Sequence, residues 1–119
     1  MREILFRGKS ILLKEFVYGF ILQYEAGTFI TDGMILSQND PETAGQFTGL
    51  TDKNGKQIFE GDILRLCDAT YPCEIYWSGI GWAIKRNDKR VDYNYGSSLV
   101  IDCEKMQVIG NIYDNPELL

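Results

Sequence analysis

Thr28-Phe29-Ile30-Thr31-Asp32-Gly33-Met34-Ile35-Leu36 sets two short apolar runs on either side of an Asp-Gly dipeptide. Asp-Gly readily adopts the positive φ of a tight hairpin turn, and branched or aromatic residues fit a pleated surface. The stretch therefore predicts two antiparallel strands, Thr28–Thr31 and Met34–Leu36. The pattern repeats outward. Asn54-Gly55 separates Gln46-Phe47-Thr48 from Gln57-Ile58-Phe59, and Ser78-Gly79-Ile80-Gly81 separates Glu74-Ile75-Tyr76-Trp77 from Trp82-Ala83-Ile84-Lys85. Upstream, Ile4-Leu5-Phe6 predicts a first strand ending at Arg7-Gly8-Lys9, and Phe16 to Leu22 a second. Downstream, Asp62 to Leu66 predicts a strand launched by Gly61. Val91-Asp92-Tyr93 lies beyond an Asn87-Asp88 turn, and Val108 to Ile112 is the last strand.

Helix is scarce. Asn39-Asp40-Pro41-Glu42 puts a capping side chain before proline at a first helical position, and Asp114-Asn115-Pro116-Glu117 repeats the arrangement near the C-terminus. Ser97 to Met106 fits strand or short helix equally. The expectation is one mainly β domain over residues 1–119, a small antiparallel barrel-like or sandwich fold with one or two short helical turns.

The chain has 119 residues, 45% of them hydrophobic and 24% charged, which is the balance of a folded domain able to bury a core of its own. Twelve basic against seventeen acidic side chains give a net charge of −5, spread evenly along the chain. That charge disfavours nucleic acid as a general partner, because phosphate is repelled at long range. The three cysteines, Cys67, Cys73 and Cys103, form no C-x-x-C pair and each has apolar neighbours. An odd, unpatterned set reads as reduced, buried thiols. No segment looks like a signal peptide or a membrane span, so the expected location is the cytoplasm, with no membrane partner.

Zero histidines removes the commonest general base and the commonest metal ligand. None of the five serines sits in a G-x-S-x-G elbow. Asp52-Lys53-Asn54-Gly55 fails as a calcium loop, since its first and twelfth positions would be Leu50 and Gly61. Glu60-Gly61-Asp62 pairs two carboxylates that, with Asp52, would be a thin metal-assisted site; a turn in which Asp62 bonds local amides explains them better. Neither a catalytic residue, a metal ligand nor a cofactor is implied, and the protein reads as a non-enzyme.

One segment is suited to binding. Lys85-Arg86-Asn87-Asp88-Lys89-Arg90 holds four basic residues in six, flanked by Tyr76, Trp77, Trp82, Tyr93 and Tyr95. Tryptophan, tyrosine and arginine are favoured at protein interfaces, whereas cations interleaved with flat rings also suit single-stranded nucleic acid. The candidate binding residues are Trp77, Trp82, Lys85, Arg86, Lys89, Arg90 and Tyr93. The expected partner is a protein, another one or the chain itself, with nucleic acid as the alternative.

Two long strings carry a family resemblance. Gly45-Gln46-Phe47-Thr48-Gly49-Leu50-Thr51-Asp52-Lys53-Asn54-Gly55-Lys56-Gln57-Ile58-Phe59-Glu60-Gly61-Asp62-Ile63 resembles the central signature of the YopX protein family. Val108-Ile109-Gly110-Asn111-Ile112-Tyr113-Asp114-Asn115-Pro116-Glu117-Leu118-Leu119 resembles its C-terminal signature, and Arg2-Glu3-Ile4-Leu5-Phe6-Arg7 is similar to its start. The resemblance implies a small phage or prophage protein of mainly β, barrel-like fold with no assigned enzymatic activity, for which another protein partner would be a host factor. It carries over no catalytic residues. Physically, both strings read as architecture: hairpin and glycine turn in the first, a closing strand and prolyl turn in the second.

Overall fold

A computed structural model describes residues 5–65, 72–79, 81–86, 89–90 and 105–119. Tyr93, Tyr95, Cys67, Cys103 and most of the ambiguous 97–106 segment lie outside them. Among the described residues, eleven strands run β1 (Phe6–Lys9), β2 (Phe16–Tyr24), β3 (Gly27–Thr31), β4 (Leu36–Asn39), β5 (Gly45–Thr51), β6 (Gln57–Phe59), β7 (Asp62–Arg65), β8 (Cys73–Trp77), β9 (Trp82–Arg86), β10 (Lys89–Arg90) and β11 (Gln107–Asn111). The two expected helical turns are single 3-10 turns, Pro41–Thr43 and Pro116–Leu118. Asp40 caps the first by accepting the Glu42 amide at 3.0 Å.

Backbone contacts group the chain into two units, Met1–Phe47 and Thr48–Leu119. The fold is mainly β, in two antiparallel sheets. In the first unit the strand order is β4-β3-β2-β1-β5. Gly8 makes room there for a side chain and Gly19 for a neighbouring backbone. A Cβ on Gly8 would lie 2.5 Å from Asn39 Nδ2, and one on Gly19, at φ +152°, would lie 2.1 Å from the Thr31 carbonyl oxygen. β1 continues through Arg7-Gly8-Lys9, where the sequence predicts a stop, because these residues pair with Tyr18, Val17 and Phe16 of β2. A bridge between Ser10 and Asn39 covers the C-terminal end of β4, with Ile11 N donating to Gln38 O and Asp40 N to Lys9 O, each at 2.9 Å. Among the described strands neither sheet closes into a barrel.

In the second unit the later residues of β5 pair with β6, and the remaining strands follow the order β10-β9-β8-β7-β11. Ile58, Leu64, Ile75, Ile84 and Met106 are fully buried together, and Leu50, Cys73, Trp82 and Val108 pack against them. Cys73 is half-buried on β8. Asn54-Gly55 makes the predicted turn, with Gly55 at φ 78°.

The two signature strings meet in this unit. Asp52 Oδ1 accepts the Asn54 and Lys56 amides at 2.9 Å each, and its Oδ2 accepts the Val108 amide of β11 at 3.0 Å. Gly61 donates its amide to Ile75 O at 3.0 Å and accepts the Ile112 amide at 2.9 Å. At φ +90° its missing Cβ would sit 3.3 Å from the Tyr113 ring. Downstream, Asn111 Oδ1 accepts the Tyr113 and Asp114 amides, and Asn115 Oδ1 accepts the Asn111 amide. Polar side chains fold the C-terminal turn back on β11, while Asp62 Oδ2 takes the Phe59 amide at 2.8 Å in the local turn.

Candidate protein-interaction surface

The first unit distributes its large apolar side chains unusually. Among its described residues Ile30 and Phe47 are the buried ones, whereas Ile11, Leu12, Leu13, Tyr18, Phe20, Tyr24, Met34, Ile35 and Leu36 are exposed. The second unit has the ordinary arrangement: Ile58, Phe59, Ile63, Leu64, Ile75, Ala83, Ile84 and Met106 are buried, and Trp77 is the one large apolar side chain exposed among the described residues. Single exposed apolar residues need no explanation, but a concentration of nine within residues 11–36 does.

Two tight turns produce it. In the first, Ser10 is buried and ties the chain on three atoms: its amide donates to Glu15 O at 2.9 Å, its carbonyl accepts the Lys14 amide at 2.9 Å, and its Oγ accepts the Leu13 amide at 3.1 Å. Lys14 closes the turn at φ 61°, an uncommon value for a residue with a side chain. The backbone groups are satisfied inward, so Ile11, Leu12 and Leu13 are left at the surface, Leu12 87% exposed.

The second turn replaces an expected strand. Asp32 Oδ1 accepts both the Met34 and Ile35 amides at 2.9 Å, and Thr31 Oγ1 accepts the Gly33 amide at 3.1 Å. These bonds hold residues 32–35 in a loop, and β4 begins only at Leu36, paired with Thr31. The amides of Ile35 and then Met34 keep the Asp32 carboxyl below the usual carboxylate range. Met34 is 94% exposed, with Ile35 and Leu36 beside it.

The two turns share one depression of about 210 Å³, lined among others by Leu13, Val17, Ile30, Asp32 and Ile35. Val17 and Ile30 lie on one face of the sheet, and the opposite face also carries exposed apolar side chains. Phe20 pairs with Thr31 and Thr31 with Leu36, which sets Phe20 and Leu36 on one face. Two residues along β2 in either direction, Tyr18 and Leu22 share that face, and Tyr24 follows, with its ring edge-on to Phe29 at 5.7 Å.

The basic and aromatic hairpin is built as expected in its described part. Trp77 pairs with Trp82 across β8 and β9, their rings edge-on at 5.1 Å. Trp77 is half exposed, but Trp82 packs against the core, and its Nε1 is buried without an acceptor among the described residues. Lys85 Nζ lies 4.8 Å above the Tyr76 ring. The register sets Arg86 opposite Lys89 and Lys85 opposite Arg90, bringing four basic positions together on two strands. Tyr93 lies outside the described residues. Of the carboxylates considered for a metal, Asp52 accepts three backbone amides and Asp62 Oδ2 accepts the Phe59 amide. The described residues contain no group of three or more acidic or cysteine side chains placed to hold a cation.

A family model described as YopX protein matches residues 11–119, a span that takes in both apolar turns and both signature strings. The chain belongs to the YopX protein family. Among solved structures, the YopX chain is similar to protein EF1440 from Enterococcus faecalis, with 24% identity, a TM-score of 0.63, and coverage of 100% of this chain and 99% of that one. That likeness is one of fold. No curated protein matches the YopX chain significantly. Within the described residues, no helix is long and apolar enough to cross a membrane.

Proposed function

We propose that this YopX chain is a non-enzymatic accessory protein of phage or prophage origin, acting in the bacterial cytoplasm by binding another protein. Family membership supports the phage setting, and the unpatterned cysteines support a reducing compartment. The observation that carries the binding role is the apolar surface of residues 11–36, in which two hydrogen-bonded turns hold Leu12, Leu13, Met34 and Ile35 outward. Turns already fixed in place lose little entropy on docking, so apolar contact there converts efficiently into affinity. The −5 charge argues against an anionic membrane as the occupant.

Affinity capture with the immobilised full chain, in nuclease-treated and untreated arms, tests the reading. Wild type is compared with Leu12→Asp/Met34→Asp and with Trp77→Ala. The expected result is a protein enriched in both arms by wild type and Trp77→Ala and lost with the double variant. Capture unchanged by the double variant contradicts this placement of the surface.

A second reading rests on the β9–β10 register. Like charges set directly opposite on neighbouring strands are unfavourable unless an anion joins them. With the Tyr76 ring under Lys85 Nζ, single-stranded nucleic acid is the fitting anion. It predicts capture that is lost on nuclease treatment and weakens steeply with salt.

A further inference from the structure

From the apolar surface and its charged rim, we infer that the occupant is a second copy of this chain, docked through residues 11–15 and 32–36 in a twofold dimer. The inference rests on the protein-binding reading and names its partner.

Three features point to self-association. The first is exposure. Ile11, Leu12, Leu13, Met34, Ile35 and Leu36 are each about half exposed or more, Leu12 and Met34 almost wholly so, and Leu13 and Ile35 line one depression. Apolar side chains concentrated in this way need cover throughout the protein's life, and the chain itself is the one partner always present in matching amount.

The second is charge. Lys14 and Glu15 adjoin the first turn and Asp32 begins the second. Asp32 stays ionised because the Ile35 and Met34 amides favour its charged form. A partner face of a single sign would oppose one of these groups with like charge. A twofold axis meets the patch with itself, so that Lys14 of each copy has Asp32 and Glu15 of the other as counter-charges.

The third is the mode of contact. At the C-terminal end of β4 the edge is already used by Ser10 and Ile11. Docking there therefore proceeds through side chains on rigid turns rather than by adding a strand, which gives a closed pair instead of a growing sheet.

The test is the solution mass of the full chain by light scattering coupled to size exclusion, for wild type, Leu12→Glu and Met34→Glu. Both positions are nearly fully exposed, so the fold should tolerate either charge, and unchanged circular dichroism and Tm will show it. The expected mass is twice 13.6 kDa for wild type, falling to 13.6 kDa in each variant. Any other wild-type mass, or a dimer that persists in both variants, overturns the inference. Binding of an apolar reporter dye separates the two levels. A monomeric wild type whose dye binding is lost in the variants overturns the second copy but leaves a surface for another protein. A monomer that binds no dye removes both.

Discussion

Asp52 and Val108, 56 residues apart, are joined by a 3.0 Å hydrogen bond from the Val108 amide to Asp52 Oδ2. The other oxygen of the same carboxylate closes the Asn54-Gly55 turn. One buried side chain thus fixes a hairpin and docks the last strand against it. Together with the Gly61 to Ile112 bond, it links both YopX signature strings within the second unit.

Replacing Asp52 with alanine leaves three backbone donors without their acceptor, and should cost about 2–4 kcal/mol in denaturant unfolding. Asparagine keeps one carbonyl acceptor and should cost less. The pH dependence follows from the charge. Burial alone would raise the Asp52 pKa, but the amides of Val108, Lys56 and Asn54 outweigh it and the carboxyl lies below its usual range. A depressed folded value means that the contribution is fully present above the unfolded pKa of about 3.9 and is lost as pH falls through the folded value. The stability gap between wild type and Asp52→Asn should therefore be constant from pH 7 to about 5 and narrow below about 4. A gap that widens on acidification contradicts the assignment.

Glycine substitutions should separate strain from clash. Gly33 and Gly61 both have positive φ, but a Cβ at Gly33 meets open space and one at Gly61 meets the Tyr113 ring. Gly33→Ala should cost roughly 1 kcal/mol from backbone strain alone, and Gly61→Ala more. Gly110→Ala tests the C-terminal turn. Its Cβ would lie 2.5 Å from Asn115 Oδ1 and 3.0 Å from Asn115 Cβ, so it should destabilise in the wild-type background and much less beside Asn115→Gly. Denaturant midpoints decide each case.

Core and surface on the hairpin should also part company. Ile75 is fully buried on β8, two residues from half-exposed Trp77. Ile75→Ala should cost about 2–5 kcal/mol, whereas Trp77→Ala should cost under half as much despite removing the larger side chain. Equal losses would mean that Trp77 is held more deeply than its exposure indicates.

The second apolar turn depends on one carboxylate. In Asp32→Ala, hydrogen exchange at the Met34 and Ile35 amides should speed up while that of Ile30, in the strand, stays slow. Unchanged exchange at residues 34 and 35 would show that the turn is held by something other than Asp32.

The β architecture was legible because turn chemistry and strand composition agree at Asp32-Gly33, Asn54-Gly55 and Gly79. The strand boundaries were less so. Met34-Ile35-Leu36 has strand composition, yet the Asp32 side chain captures two of its amides, a competition between side chain and backbone that composition does not reveal. The apolar surface escaped sequence reading for a related reason. Ile11-Leu12-Leu13 carries no alternation, and its exposure follows from buried Ser10 taking up the turn's polar groups, a tertiary fact. The one local signal was an apolar triplet running directly into Lys14-Glu15. Conversely, Trp82 reads as a binding residue in the sequence and packs partly against the core, because on β9 it shares the face of buried Ile84.

The most direct test of the central claim, that residues 11–36 form a protein-covered surface, is oxidative footprinting of two methionines in one chain. Met34 is 94% exposed and Met106 is 4% exposed, so Met106 serves as the internal standard. In dilute purified protein Met34 should oxidise rapidly and Met106 slowly. Inside cells expressing the protein, and in concentrated solution if a second copy is the cover, Met34 should become protected toward the Met106 rate. Met34 that oxidises equally fast under all three conditions would contradict the account.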